Sequence, residues 1–203
     1  MKEKTLQDTV TRLLYETVPG RYVLKLLVSP GISRAVGKFM DTKCSTFLIR
    51  SFIRSKHIDM SDYEPKKYKS YNDFFTRKIR RGKRPVDMRP ECLISPCDGA
   101  ALVLPLEENC VFHIKRSKYT VARLLRDKKL AKKYEGGTAV VLRLAVDDYH
   151  RYCYVDDGVL SAYRRIPGVL HTVQPVANDY YEIYHENTRE YCTLHSANFG
   201  DVI

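Results

Sequence analysis

The spacing of apolar residues changes once along this chain of 203 residues, near residue 91, and that change bounds the folds open to it. Before the change, apolar side chains recur at three- and four-residue intervals, the period of a helix with one buried face. Leu6, Val10, Leu13 and Leu14 make a first stripe, which Pro19-Gly20 should end. Tyr22 to Val28 restarts the pattern until Ser29-Pro30-Gly31 breaks it, then Ile32, Val36, Phe39 and Met40 make a third stripe and Phe47, Leu48, Phe52 and Ile53 a fourth. Across 70–90 the sequence predicts a short helix capped near Ser70 and stopped by Gly82 and Pro85, with Phe74 and Phe75 on its apolar side.

After residue 91 the alternation has period two, the signature of strands. Leu93-Ile94, Ala101–Leu104, Val111–Ile114, Thr138–Val146, Tyr149–Val155 and Val159–Arg164 read as strands. One helical insert follows Thr120, its candidate N-cap, as far as Arg126. Asp98-Gly99, Asp156-Asp157-Gly158 and Pro167-Gly168 supply turns, and a Tyr-rich hairpin is expected from Tyr180–Tyr184 and Glu190–Leu194. The expected class is α+β: basic amphipathic helices at the N-terminus, then a mostly antiparallel β domain. Phe199 to Ile203 opens a further strand, and its two terminal β-branched residues suggest that the β domain is incomplete at its C-terminus.

Charge divides at the same place. Residues 1–90 hold 21 Lys and Arg against 9 Asp and Glu, whereas residues 91–203 hold 14 against 15. A basic first segment on a near-neutral second one points to an anionic partner. Interleaved with the apolar stripes, these cations suit binding in the plane of an anionic membrane, each contributing about 1 kcal/mol near the surface. A helical subdomain with solvated charges is the plainer alternative. Nucleic acid is not expected, because no zinc-finger spacing, ribonucleoprotein aromatic motif or GxxG loop is present. Leu26 to Ser33, fenced by Lys25 and Arg34, is far short of the ~20 apolar residues that span a bilayer. The six Cys contain no CxxC pair and the first residues are too polar for a secretory signal, so the thiols are expected reduced in a cytosolic protein.

Three places have residues suited to chemistry. Asp98, in Ser95-Pro96-Cys97-Asp98-Gly99, is a carboxylate at a tight turn that either supports that turn or orients a histidine. His150, in Asp147-Asp148-Tyr149-His150-Arg151-Tyr152-Cys153, is a candidate general base near neutral pH, or a structural hydrogen-bonded histidine. His171, His185 and His195-Ser196 form the third set, and Ser196 with His150 and Asp98 has the composition of a hydrolase triad but no GxSxG elbow. His150 and Cys153 alone do not make a tetrahedral metal site, so no metal is expected.

Several of these stretches occur in order in one family. Tyr71-Asn72-Asp73-Phe74-Phe75-Thr76-Arg77-Lys78 with Arg84-Pro85, then Ser95–Gly99, Asp148-Tyr149-His150-Arg151, Ile166-Pro167-Gly168, Val173, Asn187–Arg189 and Phe199-Gly200, resemble phosphatidylserine decarboxylases from about residue 60 onward. The resemblance implies a proenzyme that converts phosphatidylserine to phosphatidylethanolamine and CO2 through a Schiff base to a self-generated pyruvoyl group. It implies His150 as base and later proton donor, Asp98 as the group that orients or charge-stabilises it, and Asp148 as a supporting residue. It also implies a division into a basic helical membrane-associating region, 1–69, and a β-rich catalytic domain, 70–203. The expected partners are phosphatidylserine, an anionic membrane surface at the cytoplasmic face, and the C-terminal part that carries the pyruvoyl group.

Two departures from the family pattern stand out. Where many relatives carry a second His three residues after the first, this chain has Cys153, a poor base at neutral pH unless its pKa is lowered. More consequentially, the 203 residues contain no Gly-Ser dipeptide, so the serine that would become the pyruvoyl group is absent and the chain is expected to be inactive alone. The alternative from another class is a non-catalytic basic peripheral module that binds anionic phospholipid.

Overall fold

A computed structural model describes residues 6–114, 117–173 and 175–203, without the side chains of residues 6–8, 175 and 178. Helices lead: α1 (Leu6–Glu16), α2 (Val18–Leu27), α3 (Pro30–Met40), α4 (Phe47–Lys56) and the short α5 (Tyr71–Phe75). Then come β1 (Ala100–Pro105), β2 (Val111–Ile114), β3 (Ser117–Thr120), α6 (Val121–Leu125), α7 (Lys128–Lys132) and β4 (Thr138–Arg143). The last third holds β5 (Gly158–Leu160), β6 (Arg164–Ile166), α8 (Pro175–Asn178), α9 (Ile183–Glu186), β7 (Arg189–Tyr191), β8 (Leu194–Ser196) and β9 (Gly200–Val202). The class is α+β, as expected. Strand β1 pairs with β4, β2 with β3, β6 with β7, and β5, β8 and β9 form a three-stranded sheet in that order. The β2–β3, β5–β8, β6–β7 and β8–β9 ladders are antiparallel.

Four helical stripes become four helices, but their prolines act differently from expectation. Pro19 and Pro30 sit inside the first turns of α2 and α3, where a missing N–H costs nothing, so they begin helices. The break falls at Thr17, whose hydroxyl caps α2 by accepting from the Gly20 N–H at 3.0 Å. The side chain of Leu6 lies outside the described residues.

The helix expected across 70–90 is capped by Ser70, which accepts from the Asp73 N–H, yet it ends at Phe75. Backbone pairing with residues 62–64 explains the early stop: Lys78 O accepts from Glu64 N and Arg80 N donates to Asp62 O, flanking a Tyr63–Ile79 bridge. Leu93-Ile94 and Tyr149–Val155 are irregular, and the run Val159–Arg164 divides between β5 and β6. Strand β4 stops at Arg143. No Tyr-rich hairpin forms at 180–194. Instead Ile183 and Tyr184 enter the helical turn α9, and Ile183 is buried in one cluster with Ala177 of α8, Tyr15, Leu24 and Val28. Strand β9 does form, paired with β8.

The chain divides into two compact units, each discontinuous in sequence. One comprises residues to Arg34, Val103–Val141 and Arg164–Tyr191. Besides the Tyr15 cluster, it holds a core in which Phe112, Ile114, Tyr119, Val121 and Leu125 pack around Cys110. The other comprises Ala35–Leu102, Leu142–Tyr163 and Cys192–Ile203. Its packing centres on Phe74, fully buried, with Phe52 and Tyr68 ring centroids at 6.1 and 5.3 Å. Ser45, also fully buried, joins this centre by accepting from the Tyr71 N–H at 2.8 Å. Among the described residues, no helix is long and apolar enough to cross a membrane.

Candidate functional site

Asp98 and His150 both belong to the second unit, on separate irregular segments. The Asp98-Gly99 turn that leads into β1 is fixed by a close backbone approach. Gly99 has φ +113°, and a Cβ there would lie 2.6 Å from the Arg143 carbonyl oxygen. This turn presents the Asp98 carboxylate to Arg84, whose Nε and Nη2 donate to Oδ1 and Oδ2 at 2.9 and 2.8 Å. That two-pronged pair holds the Asp98 carboxyl below the usual carboxylate range, against the opposing effect of burial and with help from the Tyr149 backbone.

His150 sits on the loop after β4. Its Nδ1 lies 2.9 Å from the Asp148 carbonyl oxygen. A carbonyl can only accept, so a neutral His150 carries its proton on Nδ1 and presents the Nε2 lone pair as a base. Phe75 packs on the imidazole with ring centroids 4.0 Å apart. The Asp148 carboxylate is used elsewhere, accepting from the Ala145 N–H at 2.6 Å and closing the turn that aims the loop.

Among the described hydrogen bonds, none joins the Asp98 side chain to the His150 ring. The two residues approach through Tyr149, whose backbone bonds Asp98 and whose C-terminal neighbour is His150. Orientation of the imidazole therefore comes from the Asp148 carbonyl and Phe75. The triad composition is not assembled: the Ser196 hydroxyl donates to Asp156 and accepts from the Asn198 and Phe199 N–H groups. His195 pairs with Asp201 at 2.6 Å, while His171 and His185 belong to the other unit.

Two residues that sequence reasoning did not single out hold this loop. Arg77 is buried, its guanidinium between Tyr63 and Phe74 at 4.4 and 5.0 Å from the ring centroids. Its Nη2 donates to the carbonyls of Asp147 at 3.1 Å and Asp148 at 3.4 Å, and to the Tyr63 hydroxyl at 3.2 Å. Arg151 adds a bond from Nε to the Thr76 carbonyl at 3.0 Å. Residues 75–77 thus clamp both sides of His150. Arg77 and Phe75 lie in the family-like run 71–78, but sequence alone gives no sign that an arginine there would turn inward.

Beside Asp98 opens a cavity of about 610 Å3, walled by Arg84, Cys97, Asp98, Tyr149, Arg151 and Cys153. The Cys153 N–H donates to the Pro96 carbonyl at 2.8 Å, which ties this wall to the Asp98 turn. Burial pushes the Cys97 thiol up, and the neighbouring Asp98 adds to the shift. Two arginines and a fixed carboxylate give the lining its charge, and Val86, Leu93 and Ile94 add apolar surface.

The family profile for phosphatidylserine decarboxylase matches residues 71–203. The chain is 45% identical over 202 residues to phosphatidylserine decarboxylase proenzyme 2 of Clostridium acetobutylicum, covering 99% of this chain and 69% of that protein. It is 40% identical to a phosphatidylserine decarboxylase proenzyme of Ruminiclostridium cellulolyticum and 37% identical to one of Fusobacterium nucleatum, over 99% and 98% of this chain and 69% and 68% of theirs. With a family match over most of its length and relatives this similar from end to end, the chain belongs to the phosphatidylserine decarboxylase family.

Proposed function

We propose that this chain is the part of a phosphatidylserine decarboxylase that binds substrate and supplies the proton-transfer groups, while a C-terminal part supplies the electron sink. The observation that carries the proposal is the fixed state of His150: with Nδ1–H on the Asp148 carbonyl, Nε2 is left as a base. His150 would take the proton of the serine hydroxyl during self-cleavage and later return a proton to the substrate carbon. Asp98 would act by charge, since its ion pair with Arg84 keeps it an anion beside the cavity. Asp148 supports the site through its carbonyl and its turn.

A pyruvoyl group, when present, supplies an electron-withdrawing carbonyl next to the bond that loses CO2. The cavity beside Asp98 suits such a group and an amino-acid headgroup in size and charge. The precursor serine has to come from outside these 203 residues, because no Gly-Ser occurs among them. Residues 1–69 would be the membrane-associating region and 70–203 the catalytic domain, on the cytoplasmic face as a peripheral protein. Support comes from the basic first 90 residues and from apolar side chains left exposed on α1 to α4, among them Leu13, Leu26, Phe39 and Phe47. The non-catalytic module is not favoured, since the family match includes the segments bearing Asp98 and His150.

The test joins to the end of this chain whatever part of the Clostridium acetobutylicum relative lies beyond the matched stretch. The joined protein is expected to cut itself into two fragments on a gel and to release CO2 from phosphatidylserine. His150→Ala should leave it uncut, and the 203-residue chain alone should do neither. Normal processing of His150→Ala and Asp98→Ala would refute the residue assignment.

A further inference from the structure

The first unit, which contains neither Asp98 nor His150, has a cavity of its own of about 500 Å3 between α2 and residues 169–186. That volume is within the range of small-ligand sites. Val28, Val169 and Tyr181 give it an apolar lining, and its charges are arranged by sign. Arg21 and Lys25 stand one helical turn apart on α2 and share one wall. Among the described residues neither is ion-paired. Arg21 has only the ring of Tyr180, 6.0 Å from its guanidinium carbon.

Another wall carries Glu186 and His171. His171 is buried, stacked on Tyr181 at 4.5 Å, with Nδ1 3.1 Å from the Tyr15 hydroxyl and Nε2 3.6 Å from Glu186 Oε2. A carboxylate only accepts, so Nε2–H faces Glu186 and Nδ1 accepts from Tyr15. Burial lowers the affinity of His171 for a second proton, so the ring faces the Glu186 side chain as a neutral N–H donor. Reciprocal bonds between His171 and Asn187, at 2.8 and 2.9 Å, and from Leu170 N to Val28 O at 3.2 Å, hold this wall to the end of α2. The site is built before any ligand arrives.

Its charges select against simple ligands. Glu186 disfavours a bare anion, and Arg21 with Lys25 disfavours a bare cation. A ligand with a phosphate and a primary ammonium satisfies both walls. Val18 and Tyr22, which also line the cavity, are 59% and 76% exposed, and Val23 and Leu26 on the same helix are exposed apolar residues as well. We propose that this cavity binds the headgroup of an amino-phospholipid, with phosphate on Arg21 and Lys25, ammonium on Glu186, and acyl chains along the exposed apolar side of α2. This cavity is separate from the one beside Asp98, so its occupancy is read from its own residues.

Short-chain dihexanoyl lipids below their micelle concentration remove the general attraction of a basic protein to a bilayer, so they are the probes. Titration into the 203-residue chain, followed by NMR signals of Tyr22 and His171, which line this cavity and not the one beside Asp98, should show dihexanoyl phosphatidylethanolamine and phosphatidylserine binding at least about tenfold tighter than the phosphatidylcholine analogue. The quaternary ammonium of phosphatidylcholine has no N–H to give Glu186, and a charge-assisted hydrogen bond is worth that factor. Glu186→Gln should erase this preference, and Arg21→Gln should weaken phosphatidylethanolamine and phosphatidylglycerol analogues alike. Equal binding of phosphatidylethanolamine and phosphatidylcholine would overturn the proposal, and so would inorganic phosphate binding as tightly as either. Because those comparisons use the unaltered chain, they hold even if a variant fails to fold.

Discussion

Replacing Arg77 by Met tests whether a buried arginine, rather than the Asp98 carboxylate, organises the loop that carries His150. Met keeps much of the apolar stem between Tyr63 and Phe74 but removes the guanidinium. Two bonds are lost at good distance, to the Asp147 carbonyl at 3.1 Å and the Tyr63 hydroxyl at 3.2 Å, with a longer one to Asp148 at 3.4 Å. Hydrogen bonds from a charged donor contribute about 1.5–3 kcal/mol each, and a desolvated cation–π contact contributes about 2 kcal/mol. Against this, Arg77 Nε and Nη1 have no hydrogen-bond partner among the described residues, and removing them relieves part of the cost of burying the cation. We expect a net destabilisation of about 3 kcal/mol, which for a chain of this size lowers Tm by roughly 6–12 °C. Urea unfolding followed by tyrosine fluorescence measures it, and 15N chemical shifts of the His150 ring give an independent readout. In the variant the Nδ1–H form should lose its dominance as the Asp148 carbonyl drifts. Stability within about 1 kcal/mol of the parent, with the His150 tautomer unchanged, would refute the clamp.

Gly99→Ala should cost about 1–3 kcal/mol from its positive φ, and the added methyl must push away the Arg143 carbonyl, turning Asp98 off Arg84. A crystal structure or an unchanged urea midpoint decides this directly. Acid should weaken the first unit before the carboxylates titrate. Burial holds His171 and His185 below their ordinary pKa of 6.5, opposed in part by Glu186 and Glu182, so both fold in the neutral form. Their contribution to stability is present above about pH 6.5 and is lost as pH falls through their folded pKa values. A urea midpoint that stays constant between pH 7.5 and pH 5 would contradict that sign.

The sequence by itself determined the class, with helices leading and most strands following residue 91. Helical spacing in Val10, Leu13 and Leu14 or in Phe47, Leu48 and Phe52 survives as α1 and α4, because a helix needs only its own local period, but the covered side was not legible: Val10, Leu13 and Phe47 are exposed, and Tyr15 and Ile49 are the buried residues. Caps were equally legible: Ser70 and Thr120 begin α5 and α6 as read, since a cap is a bond across three residues. Asp98, His150 and Asp148 were visible as residue types on motifs. What each bonds to was not. Asp98 faces Arg84, fourteen residues earlier, and Asp148 works through a carbonyl that every residue possesses.

Only the tertiary structure decided the rest, and the reason is the same in each case. Alternation at Tyr180–Tyr184 fits a strand until Ile183 has Tyr15 and Leu24, more than 150 residues earlier in the chain, to bury against. Arg77 reads as one more cation of a basic run until two aromatic faces and two loop carbonyls enclose it. Periodicity and caps are encoded within a few residues, whereas the enclosure of a side chain is set by partners that only folding brings together.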